Sequence, residues 1–159
     1  MPCLAVAVAF ALGLLNYAGD AHGQTLQDFF ANRQTFISPS GQLASFNTTA
    51  TFEEGEPNHG GKPGGHSLWI SWVAPTNGVI RFKTEASGFD TLLSAYQFTT
   101  TNVSSFADLR EVARADDSEG FEDESEIEFG VRAGERYEIA VDGYYGATGE
   151  ATAKPASTP

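Results

Sequence analysis

From residue 43 onward apolar side chains recur at every second position, and turn residues break the pattern about every ten residues. Period two places successive side chains on opposite faces of an extended chain, so each segment has one oily face and one wet face. In Gly78 to Thr84, Ile80 and Phe82 alternate with Arg81 and Lys83. In Ser125 to Val131, Ile127, Phe129 and Val131 alternate with Glu126 and Glu128. Tyr137, Ile139 and Val141 make a third row opposed by Arg136 and Glu138, and Leu92, Ser94, Tyr96 and Phe98 a fourth. In Ser67 to Val73, Leu68, Ile70 and Trp72 share one face while Trp69 and Val73 share the other, which predicts a central strand covered on both sides. A sustained 3.6-residue period is missing after residue 23, although Leu26 to Arg33 has room for one helical turn. Strands of this kind hide their oily faces against a second sheet, so the expected fold is all-β: an antiparallel, jelly-roll-like β-sandwich of about eight or nine strands. Pro75-Thr76-Asn77-Gly78 and Ala133-Gly134-Glu135 read as short hairpin-like links, and Asp142-Gly143 closes the strand before it.

With 159 residues and 41% apolar side chains, the chain can build one sizeable core. Its first stretch has another character. Leu4 to Leu15 is almost purely apolar and is followed by Ala21-His22-Gly23, an h-region and a small-x-small cleavage site. Those twelve residues are too short for a membrane anchor, which needs about 20. Residues 1–23 therefore read as a signal peptide, 24–152 as the folded domain and 153–159 as a linker-like tail rich in Pro, Ala, Ser and Thr. The destination is the secreted fraction, the cell surface or the periplasm. Removing the leader takes away Asp20 and the lone Cys3, so a formal charge of −12 becomes −11. Such an acidic chain has no basic patch to hold nucleic acid or an anionic membrane surface, and neither is expected as a partner.

Two loops concentrate oxygen ligands. Glu54, Glu56 and Asn58 alternate in a segment where Gly55, Gly60, Gly61, Gly64 and Gly65 allow tight folding. Asp116 and Asp117 open a second loop, and from Asp116 to Glu128 there are eight acids and no base. Hard oxygens on Gly-rich loops suit Ca²⁺, which takes six to eight of them at about 2.3–2.6 Å. The competing reading makes Glu54 and Glu56 solvated loop acids, with Asp116 capping a turn. Asp90 reads as an acceptor for backbone N–H groups where the Leu92 strand begins, and as a third-choice ligand. The acid run is not an EF-hand, because Gly120 is out of register and the alternating Asp/Asn pattern is missing.

Enzyme signatures fail on inspection. His59 and His66 lack the further ligands zinc needs. His66 and Ser67 are neighbours whose side chains diverge on a strand, and there is no G-x-S-x-G elbow. Gly55 to Lys62 misses the phosphate-loop spacing, and Pro63 follows the lysine. Asn47-Thr48-Thr49 and Asn102-Val103-Ser104 are sequons too short to carry a function. Tyr144 and Tyr145, between Gly143 and Gly146, place two aromatics in a turn. Either both rings contact a sugar or a protein surface, or one folds back over the sandwich edge and the other is free.

Phe29-Phe30-Ala31-Asn32, Glu54-Gly55-Glu56-Pro57-Asn58-His59, Gly64-Gly65-His66-Ser67-Leu68-Trp69, Trp72-Val73-Ala74-Pro75, Phe89-Asp90-Thr91-Leu92-Leu93, Ala115-Asp116-Asp117-Ser118 and the stretch Ala133-Gly134 to Asp142-Gly143 occur in this order. Together these blocks, over about residues 28–152, resemble bacterial pre-peptidase C-terminal (PPC-like) domains. The resemblance implies a jelly-roll-like sandwich on secreted bacterial proteins, beside proteases or in surface proteins, with no catalytic residues of its own. It also implies a link to collagen-binding modules that hold calcium with acids in the loop before the core strands, so that one ion would bridge the two loops here. The expected function is a non-catalytic accessory module, calcium-stabilised, that spaces, stabilises or anchors a larger extracellular protein. The alternative is a ligand-binding module for polysaccharide or matrix protein, working through Tyr144 and Tyr145.

Overall fold

The computed structural model describes residues 25–100 and 105–158, so the leader read at 1–23 and the sequon at Asn102 lie outside the described residues. The strands in chain order are β1 (Thr35–Phe36), β2 (Leu43–Phe46), β3 (Leu68–Val73), β4 (Gly78–Lys83), β5 (Thr91–Phe98), β6 (Leu109–Ala115), β7 (Glu126–Val131), β8 (Arg136–Gly143) and β9 (Glu150–Thr158). Leu26 to Arg33 supplies only a single 3-10 turn, Phe30–Asn32.

Pairing is nested. β5 pairs with β6, β4 with β7, β3 with β8 and β2 with β9, all antiparallel. The first half of the chain thus runs back along the second as one long ribbon. Successive pairs fall in alternate sheets, giving the orders β1-β3-β8-β5-β6 and β2-β9-β4-β7. This is the winding of a jelly roll, with β1 added in parallel at the edge. The winding also corrects the reading of the turns. Pro75-Thr76-Asn77-Gly78 joins β3 to β4 and Ala133-Gly134-Glu135 joins β7 to β8, so each carries the chain across to the other sheet instead of closing a hairpin.

The interior is the set the alternation picked out. Ile80, Phe82, Ile127, Phe129, Ile139 and Val141 share one cluster with Leu68, Ile70 and Trp72. Trp72 packs edge-on against Phe82 at 5.7 Å between centroids, and Phe82 stacks with Phe129 at 6.3 Å. Trp69 points the other way, as expected of a strand covered on both sides, into a second cluster with Phe30, Tyr96 and Ala140.

That second cluster changes two expectations. Glu138, read as facing water, is fully buried beneath the N-terminal segment. Arg33 Nε donates to its Oε2 at 2.6 Å and Ser71 Oγ to its Oε1 at 3.1 Å. Burial pushes the Glu138 carboxyl above its ordinary range, and the Arg33 guanidinium pulls against it. On β5 the row Leu92, Ser94, Tyr96, Phe98 is the outer face, for Leu93 and Ala95 belong to the main interior and Tyr96 to the second cluster. Both faces are dry because Phe30, Arg33 and the 3-10 turn Phe106–Asp108 lie over the outer one.

The tail is the largest departure. Residues read as linker form most of β9, which pairs with β2 over Glu150 to Ala153 and with β4 over Lys154 to Thr158. Ala151 and Ala153 are fully buried in the interior. Pro155 is tolerated because the other side of that half of β9 carries a single bridge, Ser40 to Ala156, and no regular ladder for a missing N–H to break. Deleting residues 153–159 removes every β4–β9 pair. At about 1 kcal/mol per lost hydrogen bond, plus the interior exposed, that is a large part of a typical 5–15 kcal/mol. The expected outcome is loss of the cooperative melting transition followed by circular dichroism; a linker would be removed without effect.

Candidate functional site

Because strands alternate in direction, β2, β4, β6 and β8 end where β3, β5, β7 and β9 begin, and the loops 47–67, 84–90, 116–125 and 144–149 gather at one end of the sandwich. Hydrogen bonds tie these loops together. Tyr145 N donates to Pro63 O at 2.9 Å and Tyr144 N to Asp90 O at 3.0 Å. The Ser125 hydroxyl lies 2.6 Å from the carbonyl oxygens of both Thr91 and Asp116, which fixes the Asp116 loop beside the start of β5. Gly60 sits so tightly against Ala115 O and Leu92 that a β-carbon there would come within 2.7 Å of the carbonyl.

Carboxylate oxygens of Asp90, Asp116 and Asp117 converge at this end, each within 4.8 Å of the others. Asp90 does not cap its strand. Its Oδ1 is shielded from solvent, and among the described residues it finds no hydrogen-bond partner. Burial pushes the Asp90 carboxyl above its ordinary range, and repulsion from Asp116, Asp117 and Asp123 adds to the shift, against a smaller pull from Lys62. Lys62 Nζ lies 3.1 Å from Asp116 Oδ2, and this contact raises the lysine's own pKa. An open cleft of about 700 Å³, lined in part by Asp117, Phe121 and Glu124, adjoins the cluster.

The two loops singled out in the sequence do meet, through Lys62 and Gly60 and not through the glutamates. Glu54 and Asn58 are exposed. Glu56 is turned inward, 7% exposed, with no side-chain oxygen left over for an ion. Its Oε1 accepts from His59 Nε2 (3.0 Å), Trp69 Nε1 (3.1 Å) and the Ser67 hydroxyl, and its Oε2 from Glu53 N at 2.8 Å. The other ring nitrogen, His59 Nδ1, shares a hydrogen bond of 2.8 Å with the Tyr96 hydroxyl. Burial drives the Glu56 carboxyl upward, but the hydrogen bonds from His59, Glu53 and Ser67 outweigh it and hold the group below its ordinary range.

Ser67, His59 and Glu56 are the residue types of a hydrolytic triad, but their wiring differs. The carboxylate accepts from both the serine and the imidazole, so it takes the place the imidazole holds in a charge-assisted nucleophile. All three side chains are buried. A further buried acid, Asp142, sits in a cradle of backbone N–H groups from Gly65, His66 and Gly143 at 2.7–3.1 Å. Gly64 has to be glycine, because a β-carbon there would overlap Asp142 Oδ2 at 1.8 Å. Sequence reasoning missed His59, Tyr96 and Asp142 as members of this end. The glycine pair at 64–65 was the one visible signal of the cradle.

The acid run from Asp116 to Glu128 splits into two halves. Glu126 and Glu128 pair across the β4–β7 ladder with Arg81 and Lys83 at 2.7–2.8 Å. The crowding left uncompensated is that of the loop, where Lys62 is the neighbouring base. Neither the family models nor the curated proteins include one that matches this chain.

Glu56→Gln keeps the size of the side chain but cannot accept all four hydrogen bonds. The expected cost is about 2–4 kcal/mol by urea denaturation at neutral pH. Because the native Glu56 pKa is lowered, its contribution is complete above the unfolded value of about 4.3 and is lost as pH falls through the folded value. The urea midpoints of the two proteins should therefore draw together as pH falls below the unfolded value. An acid that served only to hold an ion would show no loss in calcium-free buffer.

Proposed function

We propose that this chain is a non-catalytic accessory module of a larger extracellular protein, whose loop end is stabilised by calcium held between Asp90, Asp116 and Asp117. The observation that carries the reading is the shielded, partnerless Oδ1 of Asp90 beside two further carboxylates. An ionised oxygen removed from water without a donor is costly, and a divalent cation answers both the missing partner and the repulsion. All three ligands are hard oxygens, which favours calcium over zinc or copper. Export is supported by the leader-like residues 1–23, and an accessory role by the PPC-like blocks and by the sealed, miswired Ser67–Glu56–His59 set. Spacing, stabilising or anchoring a neighbour is the work that remains for such a module.

With a dissociation constant of about 10⁻⁴ M, 1 mM calcium would add about 1.4 kcal/mol and raise Tm by a few degrees. EGTA should reverse the shift. Asp90→Asn should abolish it while leaving Tm in EGTA equal to or above that of the parent, because it removes a carboxylate whose ionised form is disfavoured in the folded state. The sign with pH follows from the raised pKa. Without calcium the Asp90 penalty applies above its folded pKa and is relieved as pH falls toward the unfolded value; with calcium, protonation competes with the ion, so the calcium shift shrinks over the same range. Identical melting curves with calcium and with EGTA at pH 7 would refute the site.

A further inference from the structure

Tyr145 is held in a conformation that L residues avoid, with φ 48° and ψ 34°. Ala86 is the other non-glycine residue with positive φ among the described residues. Strain of this kind persists only where surrounding contacts impose it. Here they do. Gly143 precedes the turn at a point where a β-carbon would come within 1.8 Å of Ala147 O, Tyr145 N is anchored to Pro63 O, and Ala147 N closes the turn onto Tyr144 O at 3.0 Å.

The strain gains no burial in return. The Tyr145 side chain is 69% exposed, whereas Tyr144 folds back, half-buried, with its ring at 86° to that of Tyr145 and 4.6 Å away. Phe46, Phe52 and Phe121 are comparably exposed but sit on ordinary backbone. The corner also carries polar groups: Lys62 Nζ lies 5.5 Å from the Tyr144 ring centroid and 3.1 Å from Asp116. The corner thus combines an exposed Tyr145 ring, the Tyr144 ring perpendicular to it, and the Lys62 ammonium over Tyr144.

From this corner we infer a binding site for a neutral saccharide, in which a pyranose ring lies on the exposed face of Tyr145 and a hydroxyl accepts from Lys62. The C–H groups on one face of a pyranose are weakly positive and match the negative face of an aromatic ring, while its hydroxyls need donors and acceptors at the rim. A folded protein partner would need roughly 800 Å² of surface on each side, far more than one exposed ring supplies. An acidic glycan would meet a chain of net charge −12. The inference stands on the turn and its rings, and does not depend on an ion at Asp90.

The test is retention of the purified protein on insoluble chitin, cellulose, xylan and β-1,3-glucan, with a gelatin column alongside, all in EGTA. Retention on at least one glycan is expected, falling at least tenfold in Tyr145→Ala, kept in Tyr145→Trp, and weakened several-fold in Lys62→Met. Tyr145→Ala loses the edge contact with Tyr144 and keeps the positive φ, so its Tm should fall by no more than a few degrees, and a cooperative melt then shows that lost retention is not misfolding. No retention on any glycan, retention that survives Tyr145→Ala, or Tyr145-dependent retention on gelatin alone would overturn the proposal. Failure of the calcium shift would leave this result untouched, and the reverse holds too.

Discussion

Everything in this molecule hangs on the packing of two sheets through one interior, and that packing is possible because the chain doubles back on itself before it wraps. Each pair of the ribbon contributes one oily row: Ile80 and Phe82 face Ile127 and Phe129 within one sheet, and Ile139 and Val141 meet them from the other. Burial of side chains of this size is worth roughly 1.5–3 kcal/mol each relative to exposure, which is why the alternation dominates the fold. The nested winding then has a geometric consequence. It sends four loops to the same end, and that end holds the polar chemistry.

Four acids distinguish structure from candidate function. Glu56 is met by four donors, Glu138 by Arg33 and Ser71, and Asp142 by three backbone N–H groups. Each is buried, and each is provided for, so none is free to act on a ligand. Asp90 differs: one oxygen is shielded without a donor, and its neighbours are of like charge. A shielded ionised oxygen is stable only when paired, and among the described residues Asp90 Oδ1 is the shielded carboxylate oxygen for which no donor is found. The aromatic corner at Tyr145 repeats the logic with backbone in place of charge, since a strained residue is placed where it adds little to the interior.

Much of this was legible from the sequence. The rows on β4, β7 and β8 and the two-faced β3 follow from side-chain alternation alone, as does the two-layer class. β9 was not legible, because Ala151, Ala153 and Pro155 have low strand propensity and are buried only through what the chain wraps around them. Nor was the second dry face over Glu138 and Trp69, since a local window cannot show that residues 26–33 fold back across β3 and β8. At the loop end, Asp116 and Asp117 were found by their crowding. Glu56 was mistaken for a loop ligand because spacing in a Gly-rich segment does not reveal which carboxylate turns inward to meet a histidine, a serine and a tryptophan.

The contrast between Asp90 and the provided-for acids is directly measurable by carbon-detected NMR of the side-chain carboxyls, titrated with pH in EGTA and again in calcium. The account requires Asp90 to titrate above the ordinary aspartate range in EGTA and to fall well below that value in calcium, while Glu56 and Glu138 keep their positions. A calcium titration that leaves Asp90 unmoved, or that moves all three groups alike as simple screening would, contradicts it.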